Sequence, residues 1–330
     1  MKHMETSIRS ITFSRRCLLR LVPAMMGLLA AGQVEAQSDV IRVIVPFPPG
    51  GTADPVGRAV AERIRQHFKK QAVVDNKAGA GSIIGTDALA RSAPDGLTIG
   101  MVAGPFVLNP SLRHKLPYDT NKDFAPITRH LRMPLVLAVH PSVPAHNVKE
   151  LVAFSRANPD KLAFAIPAPG SFGDIAARQF TALNKLDVPI VPYRGGGSAV
   201  IDLIGGQVTG MFETLGTIQP YVNAGKLRII ASASQSRVIT LPEVQTMAEA
   251  GYKDFEYAAF FGWVAPAGTP AALLEKYAVA INDLTTADKA NLIAQGFELV
   301  PDTPTQFAAA LRSDIERWRK AVKELGIASE

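Results

Sequence analysis

The sequence predicts an α/β protein with mainly parallel sheets flanked by helices. Three observations carry this expectation. Strand-like apolar runs alternate with helix-like segments from one end of the chain to the other. Residues 41–45, IRVIV, form the near-continuous apolar run of a strand covered on both faces. Several strands run through a glycine-bearing turn straight into a helix start.

Taken in order, Pro46 ends the first strand and the turn Phe47-Pro48-Pro49-Gly50-Gly51 follows. Asp54 reads as an N-cap with Pro55 at the first helical position, and Val56, Val60, Ile64 and Phe68 recur at intervals of four as one buried face. Further strands are expected at 72–75, 97–102, 134–139, 161–165, 188–191, 208–212, 227–231 and 260–265. Helices are expected at 86–91, at 148–157 after an Asn147 cap, and at 174–184, 198–204, 271–286 and 304–325. The last opens with Thr303-Pro304 and spaces Phe307, Leu311, Ile315, Trp318 and Val322 along one face, so it should pack on the body of the protein. There is no internal repeat and no floppy linker, which suggests lobes joined by short ordered crossings rather than a tether.

Residues 1–36 read as a secretory signal. The basic stretch Arg15-Arg16 precedes an apolar run at 21–31, and Val34 and Ala36 supply small residues for cleavage near Ala36. Arg15-Arg16 followed by Leu18-Leu19 resembles a twin-arginine signal, with an ordinary Sec signal as the alternative. No later segment approaches the ~18 apolar residues of a membrane span, so the mature chain is expected to be soluble and periplasmic. The net charge is +6, but five basic residues (Lys2, Arg9, Arg15, Arg16, Arg20) and two acids (Glu5, Glu35) leave with the signal, so the rest carries +3. That is too little and too scattered to argue nucleic-acid binding. The one cysteine, Cys17, leaves as well, which removes disulfides and thiolate chemistry.

The turns hold the chemistry. A strand, a glycine-bearing loop and a helix start aim free amides and the positive dipole end at one point, so Gly51, Thr52 and Ala53 are placed to meet a carboxylate or phosphate. The same residues also fit a tight βα connection with no ligand. The second cluster, with Gly79, Gly81, Ser82 and Gly85, has GxGxxxG spacing, and the next strand ends in Ala103-Gly104 with no acid for a ribose hydroxyl, so no dinucleotide cofactor is expected. In the third, Pro169-Gly170-Ser171-Phe172-Gly173 is not G-x-S-x-G, and a hydroxyl with amides facing a ligand fits better than a hydrolase nucleophile. Removing the Ser171 hydroxyl should then weaken binding and leave unliganded stability as it was. Asp174 is either a helix cap or a ligand contact. The fourth turn carries Tyr193 and Arg194, the latter a surface group or a partner for an acid. Such turns gather at the carboxyl ends of strands, where open α/β sheets bind ligands. His67, His114, His130, His140 and His146 show no i, i+4 pair, so no metal site is expected.

Seven blocks in order, IRVIVPFPPGGTADPVGR, VVDNKAGAGSIIG, APDG, LPYD, VPYRGG, DLIGGQV and APAGTP, resemble the substrate-binding proteins of tripartite tricarboxylate transporters, the Bug-type receptors. The resemblance implies a two-lobed type II periplasmic binding protein. Its lobes would be residues 37–128 with 229–330, and 129–228. It implies no enzyme activity, a small organic carboxylate held by amides and water, membrane transporter subunits as partners, and a monomer. The implied ligand-binding residues are Phe47, Pro49, Gly51, Thr52, Ala53, Asp54, Gly81, Ser82, Gly104, Ser171, Phe172, Gly173, Asp174, Tyr193, Glu213 and Thr214. Two positions depart from the family pattern, which commonly has histidine at Asp174 and aspartate at Glu213. If both acids face the cleft, an amine-bearing ligand would suit them. A ligand sensor for a membrane signalling partner and an α/β enzyme are the alternatives to transport.

Overall fold

The computed structural model describes residues 40–51 and 53–327. The expected export signal lies outside the described residues, as does Thr52. Strand β1 (Val40–Val45) pairs in parallel with β2 (Gln71–Asn76) and β3 (Thr98–Val102). Helices α1 (Ala53–Phe68), α2 (Ile83–Ala90) and α3 (Gly104–Leu112) follow these three strands in turn. A second parallel group sets β5 (Phe164–Ile166) beside β6 (Ile190–Pro192) and β7 (Gly210–Thr214), each followed by its own helix, α5 (Phe172–Asn184), α6 (Gly196–Ile204) and α7 (Leu215–Asn223).

The groups are joined through β4 (Phe124–Val139). Its first part, from Phe124 to Pro134, runs antiparallel to β9 (Ala258–Pro266), which also pairs with β3. Its last part, from Leu135 to Val139, runs antiparallel to β7 and to β8 (Arg228–Ser232). The parallel pairings expected from the apolar runs thus sit in the two outer groups, and antiparallel pairing is confined to the strands that connect them. The expected strand at 134–139 is only the far end of β4. The missed part contains Pro126, two register shifts, and the charges Arg129 and Arg132, which break the apolar pattern. Those charges are held by distant carboxylates: Arg129 by Asp302 at 3.0 Å, and Arg132 by Glu256 at 2.7 Å and by Glu298 of β10 (Glu298–Leu299) at 3.0 Å.

Helix α4 (Val148–Ala157) starts where Asn147 predicts, with the Asn147 side chain accepting from the Glu150 amide at 2.9 Å. The helix expected over 271–286 is corrected to two, α8 (Ala271–Asn282) and α9 (Thr286–Ala294). Thr285 starts the second: its hydroxyl accepts from the Asp288 amide while the Asp288 carboxylate accepts from the Thr285 amide, a reciprocal cap that ends the preceding segment. Helix α10 (Pro304–Glu324) buries all five of its expected face residues and lies across β4 and α3. The second group is centred on the rings of Phe164, Phe180, Phe212 and Phe255, packed at 5.4–6.5 Å between centroids. No described helix is long and apolar enough to cross a membrane.

Candidate functional site

A cavity of about 560 Å3 lies where the turns after β1, β2 and β3 meet the turn after β5. Phe47, Gly81 and Gly104 line it from the first group, Ser171 and Phe172 from the second. The approach is close. A Cβ on Gly104 would stand 2.7 Å from the Phe172 ring, and one on Gly170 would stand 2.7 Å from the Leu112 side chain. Gly170 is also required for its backbone, with φ at +72°.

The loop before α2 is tightly wound. Gly79, Ala80, Gly81 and Ser82 all have positive φ, including 47° at Ala80 and 72° at Ser82, a conformation that costs a side-chain-bearing residue about 1–2 kcal/mol. The Asn109 amide fixes this loop by donating to the Gly81 carbonyl at 3.0 Å. Ser82 itself is buried, and its carbonyl accepts from the Thr86 hydroxyl at 2.8 Å.

Asp54 is not the expected cap. It is the second residue of α1, and its carboxylate accepts from the Gly50 amide at 3.1 Å, the Arg58 guanidinium at 3.1 Å and the Asn76 amide at 3.2 Å. Those bonds, that from Gly50 first, hold its pKa below the usual carboxylate range. Asp54 therefore braces the first turn. Ala53 packs into the core, Pro49 is exposed, and Gly50 and Gly51 line a different cavity of about 460 Å3 beneath α1, with Arg63, His130 and Asp288.

Ser171, not Asp174, is the cap of α5. Its hydroxyl accepts from the Asp174 amide at 3.2 Å and donates to the Ala168 carbonyl at 2.7 Å. Asp174 is fully buried, accepting from the Gly170 amide at 2.8 Å and from Arg178 at 2.6 Å. Ser171→Ala should therefore lower unliganded stability by about 1 kcal/mol, read by urea unfolding, contrary to the expectation of an unchanged fold. Gly173 is held against β7, where an added Cβ would stand 2.5 Å from the Phe212 carbonyl.

Tyr193, Glu213 and Thr214 do not line the cavity. The Tyr193 hydroxyl donates to Asp202 at 2.7 Å, and burial pushes its pKa up to about 12. Glu213 accepts from the Thr214 amide at 2.7 Å and its hydroxyl at 3.0 Å, close against Gly196 at the start of α6, and burial raises its pKa. The two acids that would have suited an amine-bearing ligand are thus both engaged with their own turns. Sequence reasoning missed the α3 wall, Leu108, Asn109, Leu112 and Arg113, and the β9 wall, Ala259, Phe260 and Phe261. Gly104-Pro105 was a legible helix opening, obscured by Pro110 inside the same helix. No group of side chains able to hold a metal occurs among the described residues.

Two strand-turn-helix groups, joined by crossing strands and meeting over one cavity, define a two-lobed solute-binding protein. The chain belongs to the tripartite tricarboxylate transporter receptor family, whose model matches residues 56–327. It is 35% identical over 290 residues to protein BugT of Bordetella pertussis, covering 87% of this chain and 89% of BugT. An R. palustris protein solved with adipate superposes with a TM-score of 0.76 at 28% identity, covering 88% of this chain and 98% of that one. MatC from Rhodopseudomonas palustris, with bound malate, gives 0.71 at 29% identity over 86% and 98%. The expected two-lobed fold is the fold of this chain, and the protein is a solute receptor.

Proposed function

We propose that this receptor is exported, monomeric and not an enzyme, and that it captures a small organic carboxylate between its lobes for the membrane subunits of a tripartite tricarboxylate-type transporter. The cavity walled by turns of both groups carries the reading, because a ligand that touches both lobes stabilises their closed arrangement. The adipate and malate in the two similar structures supply the chemical class. In this reading the chain crosses between lobes along β4 and again between β8 and β9. The lobe expected over 129–228 then runs on to Tyr257, because β8 pairs with the far end of β4 and Phe255 packs on Phe180 and Phe212.

A thermal-shift screen of mono-, di- and tricarboxylates, followed by calorimetry, tests the ligand class. A true ligand at about 100 times its Kd should add about 2.7 kcal/mol to unfolding stability and reduce the radius of gyration. Failure of every carboxylate to stabilise the protein would defeat the reading. The transporter assignment predicts uptake that needs both this receptor and the membrane subunits. The twin-arginine assignment predicts that lysines at Arg15 and Arg16 strand the precursor in the cytoplasm; export of that variant through Sec would refute it.

A further inference from the structure

We infer that Tyr118, in the LPYD block, is a positioning residue of the cleft: without touching the ligand, it acts through Asn109 and Thr86, which hold the turn at residues 79–82 in its ligand-binding form. The inference rests on the receptor reading above and deepens it, because that turn walls the same cavity through Gly81. Tyr118 does not line the cavity. Its ring is buried edge-on against Phe124, 5.6 Å between centroids, and Phe124 meets Phe106 of α3 edge-on at 5.1 Å. That packing carries the hydroxyl to a fixed point beside the turn.

The turn needs holding. Its flanks are pinned: the Lys77 amide donates to the Val45 carbonyl at 2.9 Å, and a Cβ on Gly85 would stand 2.7 Å from both the Lys77 carbonyl and the Pro46 side chain. Between them four successive residues have positive φ, which the Cβ atoms of Ala80 and Ser82 disfavour. Backbone of this kind persists only where its surroundings over-determine it. Two side chains do so. Asn109 donates to the Gly81 carbonyl at 3.0 Å, and the Thr86 hydroxyl donates to the Ser82 carbonyl at 2.8 Å. In a trans peptide the carbonyl and the N–H point opposite ways, so fixing these two carbonyls also aims the amides of Ser82 and Ile83. Asn109 and Thr86 each spend a proton on the turn and keep an oxygen that can accept. The hydroxyl facing both is that of Tyr118, sealed from water and reaching each in less than ideal geometry. A donor shared in this way adds little to global stability, yet it links the two side chains that hold the turn.

Calorimetry and amide hydrogen exchange on the wild type and on Tyr118→Phe, which removes the hydroxyl and leaves the ring, test this. The probe is whichever of malate, adipate and citrate the wild type binds most tightly. Tyr118→Phe should bind it about fivefold or more weakly, with an unchanged melting temperature in the absence of ligand. Exchange at residues 79–83 of the unliganded protein should be about fivefold faster, because the opening is local. Thr86→Val, which takes away the grip on the Ser82 carbonyl and does not line the cavity, should speed exchange at the same residues. Wild-type affinity in Tyr118→Phe would overturn the inference and leave the receptor reading intact. Weaker binding with a lowered melting temperature and unchanged exchange at 79–83 would also overturn it, making Tyr118 a core residue only. If the wild type bound none of the three, the receptor reading would fail separately, and the exchange comparison would decide whether Tyr118 holds the turn.

Discussion

Gly104→Val should lower ligand affinity by about 5- to 150-fold with little loss of unliganded stability. The Gly104 backbone lies against the Phe172 ring, so an added Cβ would sit at 2.7 Å, inside normal contact. Overpacking of that kind costs about 1–3 kcal/mol. Gly104 belongs to the turn after β3 and Phe172 to the helix after β5, so the clash arises when the two lobes meet. Separation of the lobes relieves it. Under the proposed capture by lobe closure the cost falls on the closed arrangement, and it emerges as lost affinity. Calorimetry on wild type and variant reads the first quantity and urea unfolding without ligand reads the second. Equal affinities would mean that ligand capture does not bring Gly104 and Phe172 together. A large drop in unliganded stability would mean that the contact is a fixed part of the core.

The second large effect is on pH. His130 lies within β4, 3% exposed, and burial pushes its pKa down to about 4, with Asn282 pulling weakly the other way. In the unfolded chain a histidine titrates near 6.5. Between these two values the unfolded state binds more protons, so the contribution of His130 is complete above about pH 6.5 and is lost as pH falls towards 4. The loss is about 3 kcal/mol between pH 7 and 4. Half-buried groups work in the opposite sense: desolvation raises the pKa values of Asp314, Glu298 and Glu213, so protonation favours the folded state as pH falls through them. The prediction is therefore a difference. Urea unfolding at pH 7 and pH 4 should show wild type losing about 3 kcal/mol more than His130→Phe. Identical losses in the two proteins would mean that His130 does not resist protonation.

Elements whose own residues determine them were legible. The apolar run before Pro46, the Asn147 cap and the five-residue face of α10 are where the sequence places them, because strand burial, capping and helical spacing are local. The first part of β4 was not legible, since its charges are acceptable only next to Asp302, Glu256 and Glu298, far along the chain. The break between α8 and α9 was present as Thr285-x-x-Asp288 and was passed over in favour of an unbroken apolar pattern. At the site, the glycine turns could be read because strand-to-helix connections repeat. The direction of Asp174 could not be read from helix position alone, because it is set by the Gly170 amide and Arg178. The α3 wall needed the packing of one turn against another, which no single segment encodes.

The proposed ligand site is the cavity between the Gly81 and Gly104 turns and the Ser171 turn, where a carboxylate is expected to lie. A crystal structure of the protein with a calorimetry-confirmed carboxylate tests it directly. Ligand density is expected there, against the Gly81 and Gly104 turns on one side and the Ser171 turn on the other. Density in the cavity beneath α1, beside Arg63 and His130, with the cleft left without ligand, would contradict it.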